Sequence, residues 1–299
     1  MMEIIVVRYS VLLAVTEHGA KNQNRTIMLS LVKALYAFCP FKCKGQIMKK
    51  IISLLCALAF SASSIADHHI PDYAALETFS CNFMPGKDRD DLLAWAAKWD
   101  ESATEIFSAP YTGMLNTPFL MNPTDQQHDI YWVGVSPDFT ALGAVQDDYN
   151  AKAGNLQSAL QRVVDCDSHA MWAVTTVRQN ANSSLPSNGV ATFSACTLAE
   201  GKTMEDMLAA DAKMNAFLDK INQESAIWRW WPVSGMESTS EADFFEVTGN
   251  NSLKQKGAMM DNFVTNGGLI AQAAIYGDLL QCDAFGTDLF TVVGGKAPN

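Results

Sequence analysis

The segment Trp228-Arg229-Trp230-Trp231 gathers more potential binding chemistry than any other stretch of this chain. In an extended backbone Trp228 and Trp230 share one face, and Arg229 and Trp231 the other. Two indoles on one face can wall an apolar ligand, while a guanidinium at the rim can meet a carboxylate or a sugar hydroxyl. Trp228, Arg229 and Trp230 are therefore the candidate ligand-binding set, and packing between two parts of the chain is the competing use of the same rings. His169 is the one histidine in a β-rich segment near the middle of the chain. A single strand histidine is most simply a satisfied polar group, and a haem ligand is its sharper reading. No Cys-x-x-Cys-His attachment motif accompanies it, so no cofactor is expected and haem stays open. A metal idea follows from processing. If cleavage after Ala66 leaves Asp67-His68-His69 at a free amino terminus, the amine, two amides and an imidazole can bind Cu(II) or Ni(II) in a square plane. The chain contains no Gly-x-Ser-x-Gly elbow, phosphate loop, dinucleotide fingerprint or His-Glu-x-x-His, which weakens the common hydrolase and nucleotide readings.

Other carboxylates stand out because they recur. Laid over itself at an offset of 114 to 116 residues, the chain matches along most of its later part. Cys81, Gly86, Asp91 and Lys98 fall on Cys196, Gly201, Asp206 and Lys213, while Asp129, Asp147 and Gly154 fall on Asp243, Asp261 and Gly268. Asp147 and Asp261 each follow Gly-Ala-x-x and precede a residue and then an aromatic ring, Tyr149 or Phe263. A recurring carboxylate could serve as a base. A helix-surface acid is favoured here, because the Tyr-to-Phe exchange keeps the ring and drops the hydroxyl. Asp91 and Lys98, with their counterparts, read as a solvated helix rim. Asp129 and Asp243 read as turn or cap residues.

The elements that must carry these groups begin after a targeting segment. Met48-Lys49-Lys50, the apolar run Ile51 to Phe60 and the small-residue stretch ending at Ala66 form a signal peptide, residues 48–66. Residues 1–47 then read as an upstream extension outside the working protein, which would start near Asp67 and be periplasmic or secreted. From residue 67 onward the chain holds 13 Lys+Arg against 30 Asp+Glu, a formal net charge of −17. That charge disfavours nucleic acid and anionic membranes. No later segment is long and apolar enough to span a bilayer. Four cysteines remain, an even number that reads as disulfides in an exported protein. If each repeat closes on itself, the pairs are Cys81–Cys166 and Cys196–Cys282.

Hydrophobic spacing predicts a strand over Glu77 to Met84, a helix over Asp88 to Phe107, an extended segment over Tyr111 to Met121 broken at Pro118, and a strand over Asp129 to Val135. A helix with a weak point at Gly154 follows over Thr140 to Val164, then a strand over Ser168 to Val177. The second copy repeats this order, with a helix start at Thr203 and Asp206, strands over Ala226 to Val233 and Asp243 to Val247, a helix over Ser252 to Tyr276 broken at Gly267-Gly268, and a last strand over Phe285 to Val293. Repeat 1 spans 73–178, an Asn-, Ser- and Pro-rich linker 179–189, and repeat 2 190–299.

The βαββαβ order is that of a ferredoxin-like unit. Two such units in one chain resemble the dimeric α+β barrel superfamily in a fused, pseudo-dimeric form, so the fold class is α+β. The resemblance implies a monomer, since the dimer is built into the chain. Some cofactor-independent monooxygenases of that superfamily use Asn and Trp side chains in a cleft, which points to Asn82, His169 and Trp172 as a candidate catalytic set. Asn82 aligns with Thr197, Trp172 with Asp288 and His169 with Phe285, so such a site would be one-sided. The leading expectation is a small-molecule-binding protein. The alternatives are a cofactor-independent monooxygenase-like enzyme and a protein-interaction module without a small ligand.

Overall fold

In the computed structural model, residues 73–121, 127–179, 186–236 and 242–297 are described. The signal segment and Asp67-His68-His69 lie outside them, as does most of the linker. The first half runs β1 (Tyr73–Phe83), α1 (Arg89–Ile106), β2 (Tyr111–Met121), β3 (Ile130–Ser136), α2 (Phe139–Lys152), α3 (Gly154–Leu160) and β4 (Val164–Arg178). The second runs β5 (Asn188–Leu198), α4 (Met204–Lys220), β6 (Ala226–Ser234), β7 (Phe244–Asn250), α5 (Leu253–Thr265), α6 (Gly268–Tyr276) and β8 (Leu280–Lys296).

All strand pairs are antiparallel and the sheet closes on itself in the order β1-β3-β2-β8-β5-β7-β6-β4. In each half the first strand lies between the third and the last, so β1 is flanked by β3 and β4, and β5 by β7 and β8. β2–β8 and β4–β6 are the two seams between halves. An eight-stranded α+β barrel results, which is the architecture the resemblance implies. Closure leaves no free sheet edge.

Alternation along each strand gives two cores. Leu76, Val133, Trp172, Trp230 and Phe245 fill the barrel interior on one side, with Val247 and Phe290 continuing the cluster. The outward faces pack under helices. In the first half Leu92, Trp95, Trp99 and Ala103 of α1 meet Tyr111, Leu115 and Ile130 of the sheet. α1 starts on a capping box: the Asp88 side chain accepts from backbone N–H groups of the first turn and Asp91 reaches back. Thr203 and Asp206 do the same for α4. The recurring Asp91/Asp206 pair therefore caps helices rather than forming a solvated rim. Asp129 and Asp243 accept from the backbone N–H of Phe83 and Leu198, one fixed hydrogen bond in each half. Asp147 and Asp261 are exposed, as helix-surface acids are.

The long helices break at the expected glycines, whereas several strand boundaries differ from the sequence expectation. The long helices split into α2 and α3 at Ala153/Gly154, and into α5 and α6 at Asn266 and Gly267, where Gly267 takes φ +79°. β4 starts at Val164 and β8 at Leu280, earlier than expected, because each strand continues past the disulfide. β2 runs through Pro118 unbroken, and its register against β8 shifts between Pro118 and Leu120 where proline supplies no N–H. Cys81 pairs with Cys166 and Cys196 with Cys282, each joining directly opposed residues of neighbouring strands. No described helix is long and apolar enough to cross a membrane.

Candidate functional site

Between the outward face of the first half's sheet and its helices lies a cavity of about 780 Å³. Its apolar wall includes Phe79, Trp95, Trp99, Phe107, Trp132 and Tyr149. The three indoles lock one another edge-to-face, with Trp132 4.8 Å from Trp99 and 5.8 Å from Trp95 between ring centroids. Trp95 is fixed further by donating its Nε1–H to the Leu156 carbonyl at 2.9 Å. Such fixed rings give a wall that loses little entropy when something packs on it.

One carboxylate organises the polar part. Glu77, in the middle of β1, is 5% exposed. Its Oε1 accepts from the Tyr111 hydroxyl at 2.7 Å, and the same hydroxyl accepts from Trp132 Nε1 at 2.8 Å. Its Oε2 accepts from Gln146 Nε2 at 2.8 Å and lies 2.8 Å from His169 Nε2. Burial, then the nearby Glu77 charge, pushes the Tyr111 hydroxyl well above its usual range and Tyr149 up to about 12. Both phenols therefore keep their protons, and Tyr111 uses its own to donate to Glu77. His169 stacks on Phe79 with centroids 3.9 Å apart, which fixes its ring plane. With Nε2 engaged by Glu77, Nδ1 is the ring nitrogen left out of that contact.

Two strand glycines make room for this arrangement. A Cβ at Gly134 would sit 1.7 Å from the Tyr111 hydroxyl oxygen, and one at Gly113 2.6 Å from the Trp132 ring. Neither glycine has a positive φ. Space, not backbone conformation, is what the side-chain hydrogen provides.

The equivalent place in the second half is filled by charge. The pair Leu115–Trp132 across β2 and β3 corresponds to Arg229–Glu246 across β6 and β7. Counted from the capping aspartates, Ala96 of α1 corresponds to Asp211 of α4. Arg229 is 1% exposed and donates through both terminal nitrogens to Asp211, and at 3.2 Å to Glu246. Tyr276 donates to Asp211 at 2.7 Å. Burial works against the guanidinium, but Asp211 and Glu246 together with Tyr276 outweigh it, so the Arg229 pKa rises. Where the first half has Glu77, the second has Thr192, which accepts from Lys256 Nζ at 2.6 Å.

The residues singled out in the sequence are therefore separated. Trp228 and Trp230 face the barrel interior, where Trp230 lies 5.3 Å from Phe193 and 6.1 Å from Trp172. Arg229 is on the opposite face of the same strand, in contact with the chain's own carboxylates. Of the second set, His169 lines the cavity, whereas Trp172 is buried inside the barrel and donates to Thr78 Oγ1 at 3.0 Å. Asn82 accepts from the Asp129 backbone N–H at 3.2 Å, at the end of the sheet. A haem iron on His169 would have to take Nδ1, because Nε2 is engaged by Glu77. Among the described residues no group of three or more His, Cys, Asp or Glu could hold a metal ion.

Glu77, Tyr111, Trp132 and Gln146 escaped the sequence reading. Their signal was there as a difference between repeats. Glu77, Gly113, Trp132 and Gly134 stand against Thr192, Ile227, Glu246 and Thr248. A charged residue inside an apolar strand, and lone strand glycines, both mark close approach or burial.

No family model and no curated protein matches the chain. Solved structures that resemble it include chlorite dismutase from Candidatus Nitrospira defluvii in complex with imidazole, with 10% identity and a TM-score of 0.43 over 73% of this chain and 92% of that one. A protein assigned as a monooxygenase from Fusobacterium nucleatum has 9% identity and a TM-score of 0.43 over 77% and 97%. An anthrone oxidase-like protein has 8% identity and a TM-score of 0.42 over 76% and 97%.

Proposed function

We propose that this is an exported protein of two fused ferredoxin-like units that binds one small, partly apolar molecule in the cavity of its first half. The observation that carries this reading is the cavity itself: fixed aromatic walls, with Glu77, Gln146 and His169 converging at one side. Sites for small molecules are usually concave and mainly apolar with a few placed polar groups. The binding set expected at Trp228 and Trp230 thus gives way to Trp95, Trp132, Glu77 and His169. Export fits the two disulfides and the signal-like segment, residues 48–66. Residues 73–178 and 190–299 are the two units.

Native mass spectrometry of the protein recovered from its export compartment tests this. A reproducible extra mass that leaves on denaturation, present in the parent and lost in Gly134→Ala, is the expected result. Retention of that mass by a folded Gly134→Ala protein would move the site elsewhere, because the added methyl must displace the Tyr111 hydroxyl from Glu77.

A second reading, an enzyme working without a cofactor, is favoured by the Glu77–His169 pair. A bound molecule bearing a weakly acidic proton could pass it to Nδ1, with Glu77 stabilising the imidazolium and keeping the ring oriented. Under this reading His169→Ala keeps the ligand and ends turnover, while Trp172→Phe, remote from the cavity, keeps both.

A further inference from the structure

The charges around the cavity constrain what it can hold. Glu77, Asp165 and Asp167 line it, and among the described residues no Lys or Arg does. His169 is the single basic group among the lining residues, and Asp167 is in addition 2.8 Å from His128 Nε2, outside the lining. Glu77 is buried without a permanent cation: its partners are a phenol, an amide and the imidazole. The contrast with the second half is direct. There the corresponding space has Arg229 between Asp211 and Glu246, and Lys256 on Thr192. The first half has its carboxylate at a different position, Glu77 where the second half has Thr192, and it has no matching cation, in front of indoles whose faces attract positive charge.

We propose, on the reading that the cavity is the binding site, that its ligand is an organic cation: an amine or quaternary ammonium on a partly apolar body. A cation placed over Trp132 or Trp95 gains from the rings and from the Glu77 charge in a low-dielectric setting. Asp165 and Asp167 at the exposed edge draw it in. An anion of the same size meets three carboxylates and finds no permanent cation. Both Glu77 oxygens already accept hydrogen bonds, so a quaternary ammonium, which donates none, suits the site as well as a primary amine.

The test uses three probes of similar shape: benzyltrimethylammonium, its uncharged isostere neopentylbenzene, and phenylacetate. Each is titrated into the disulfide-bonded protein and followed by tryptophan fluorescence and calorimetry. The cation should bind at least ten-fold more tightly than the isostere, with phenylacetate weakest. Glu77→Gln should narrow that ranking several-fold. The double variant Asp165→Asn, Asp167→Asn, altered only at exposed positions, should narrow it less and reduce its salt dependence. Equal binding of cation and isostere, or tightest binding of phenylacetate, overturns the proposal and leaves the cavity as a site for another class of molecule. Failure of all three probes to bind the folded protein overturns the cavity reading and this proposal with it.

Discussion

Arg229→Leu is the most informative perturbation, because Leu115 is the residue at the matching position of the first half. The guanidinium is 1% exposed and Asp211 6% exposed. Removing the cation leaves Asp211 buried with only the Tyr276 hydroxyl, beside the like charge of Glu246. Breaking one partner of such a pair costs about 3–5 kcal/mol. Asp211→Ala alone, copying Ala96, should cost a similar amount, because the buried guanidinium then keeps only its 3.2 Å contact with Glu246. The double variant Arg229→Leu, Asp211→Ala removes both of these charges and leaves only Glu246, whose side chain is 28% exposed and whose carboxyl pKa burial already pushes up, so it can take a proton or turn to water. It should therefore be more stable than either single variant, although additivity would predict about 6–10 kcal/mol of damage. Urea unfolding of all four proteins at one pH closes the cycle. The single Arg229→Leu loss should also depend on pH. Burial already raises the Glu246 pKa, and losing Arg229 removes what opposes that rise. A carboxyl with a raised folded pKa binds its proton more readily in the folded state, so the deficit is greatest at neutral pH and shrinks as pH falls toward 5. A double variant at or below the sum of the singles, or a deficit flat with pH, would refute the idea that this cluster is a closed ionic filling.

Asp288 offers a test inside the barrel. Burial lifts its pKa from 3.8 to about 6, only slightly opposed by Asn116 at 3.4 Å. The folded state then binds more protons than the unfolded between these values, so this residue lowers stability as pH rises from about 4 to 6. Asp288→Asn should remove that fall and gain up to about 3 kcal/mol at pH 7, read from urea midpoints at pH 5 and 7; an unchanged pH slope would count against it. The capping residues give a smaller, local effect. Asp88→Ala and Thr203→Ala should each cost about 1 kcal/mol, visible as a lowered Tm, and equal stability to the parent would mean that water replaces the cap.

Periodicity and repetition made part of the fold legible in the chain. The repeated sequence pattern placed both disulfides, and helical spacing found α1 and α4, the latter with its Thr203 and Asp206 start. Alternation correctly put Trp228 and Trp230 opposite Arg229. What it could not supply was which face met which layer. Trp228 and Trp230 point into the barrel only because the sheet closes, and closure is a property of eight strands together. The hydrogen-bond network around Glu77 shows the same limit. Tyr111, Trp132, Gln146 and His169 come from four different elements, and no local spacing joins them. Asn82 and Trp172 were chosen by resemblance, and strand alternation alone separates Trp172 from His169 by parity.

The two halves have diverged in step at the site and at the seams. Trp172 and Asp288 occupy equivalent positions, as do Trp230 and Asn116. One seam therefore has Trp172 near Trp230, and the other has Asp288 with Asn116. A strictly symmetric barrel would put four indoles or two buried carboxyls at these positions. Four indoles would overfill the interior, and two carboxyls would double a desolvation cost that one already shows in its raised pKa. One seam of each type avoids both. The same logic holds outside the barrel. A second cavity would leave another stretch of sheet poorly packed, and the second half instead closes that space with Arg229, Asp211 and Glu246. A chain with Leu115→Arg and Ala96→Asp would extend that filling to the first half, and it should lose the ligand while keeping the barrel. Circular dichroism with native mass spectrometry separates the two effects, and a folded variant that still retains its ligand would show that the cavity is not where the ligand sits.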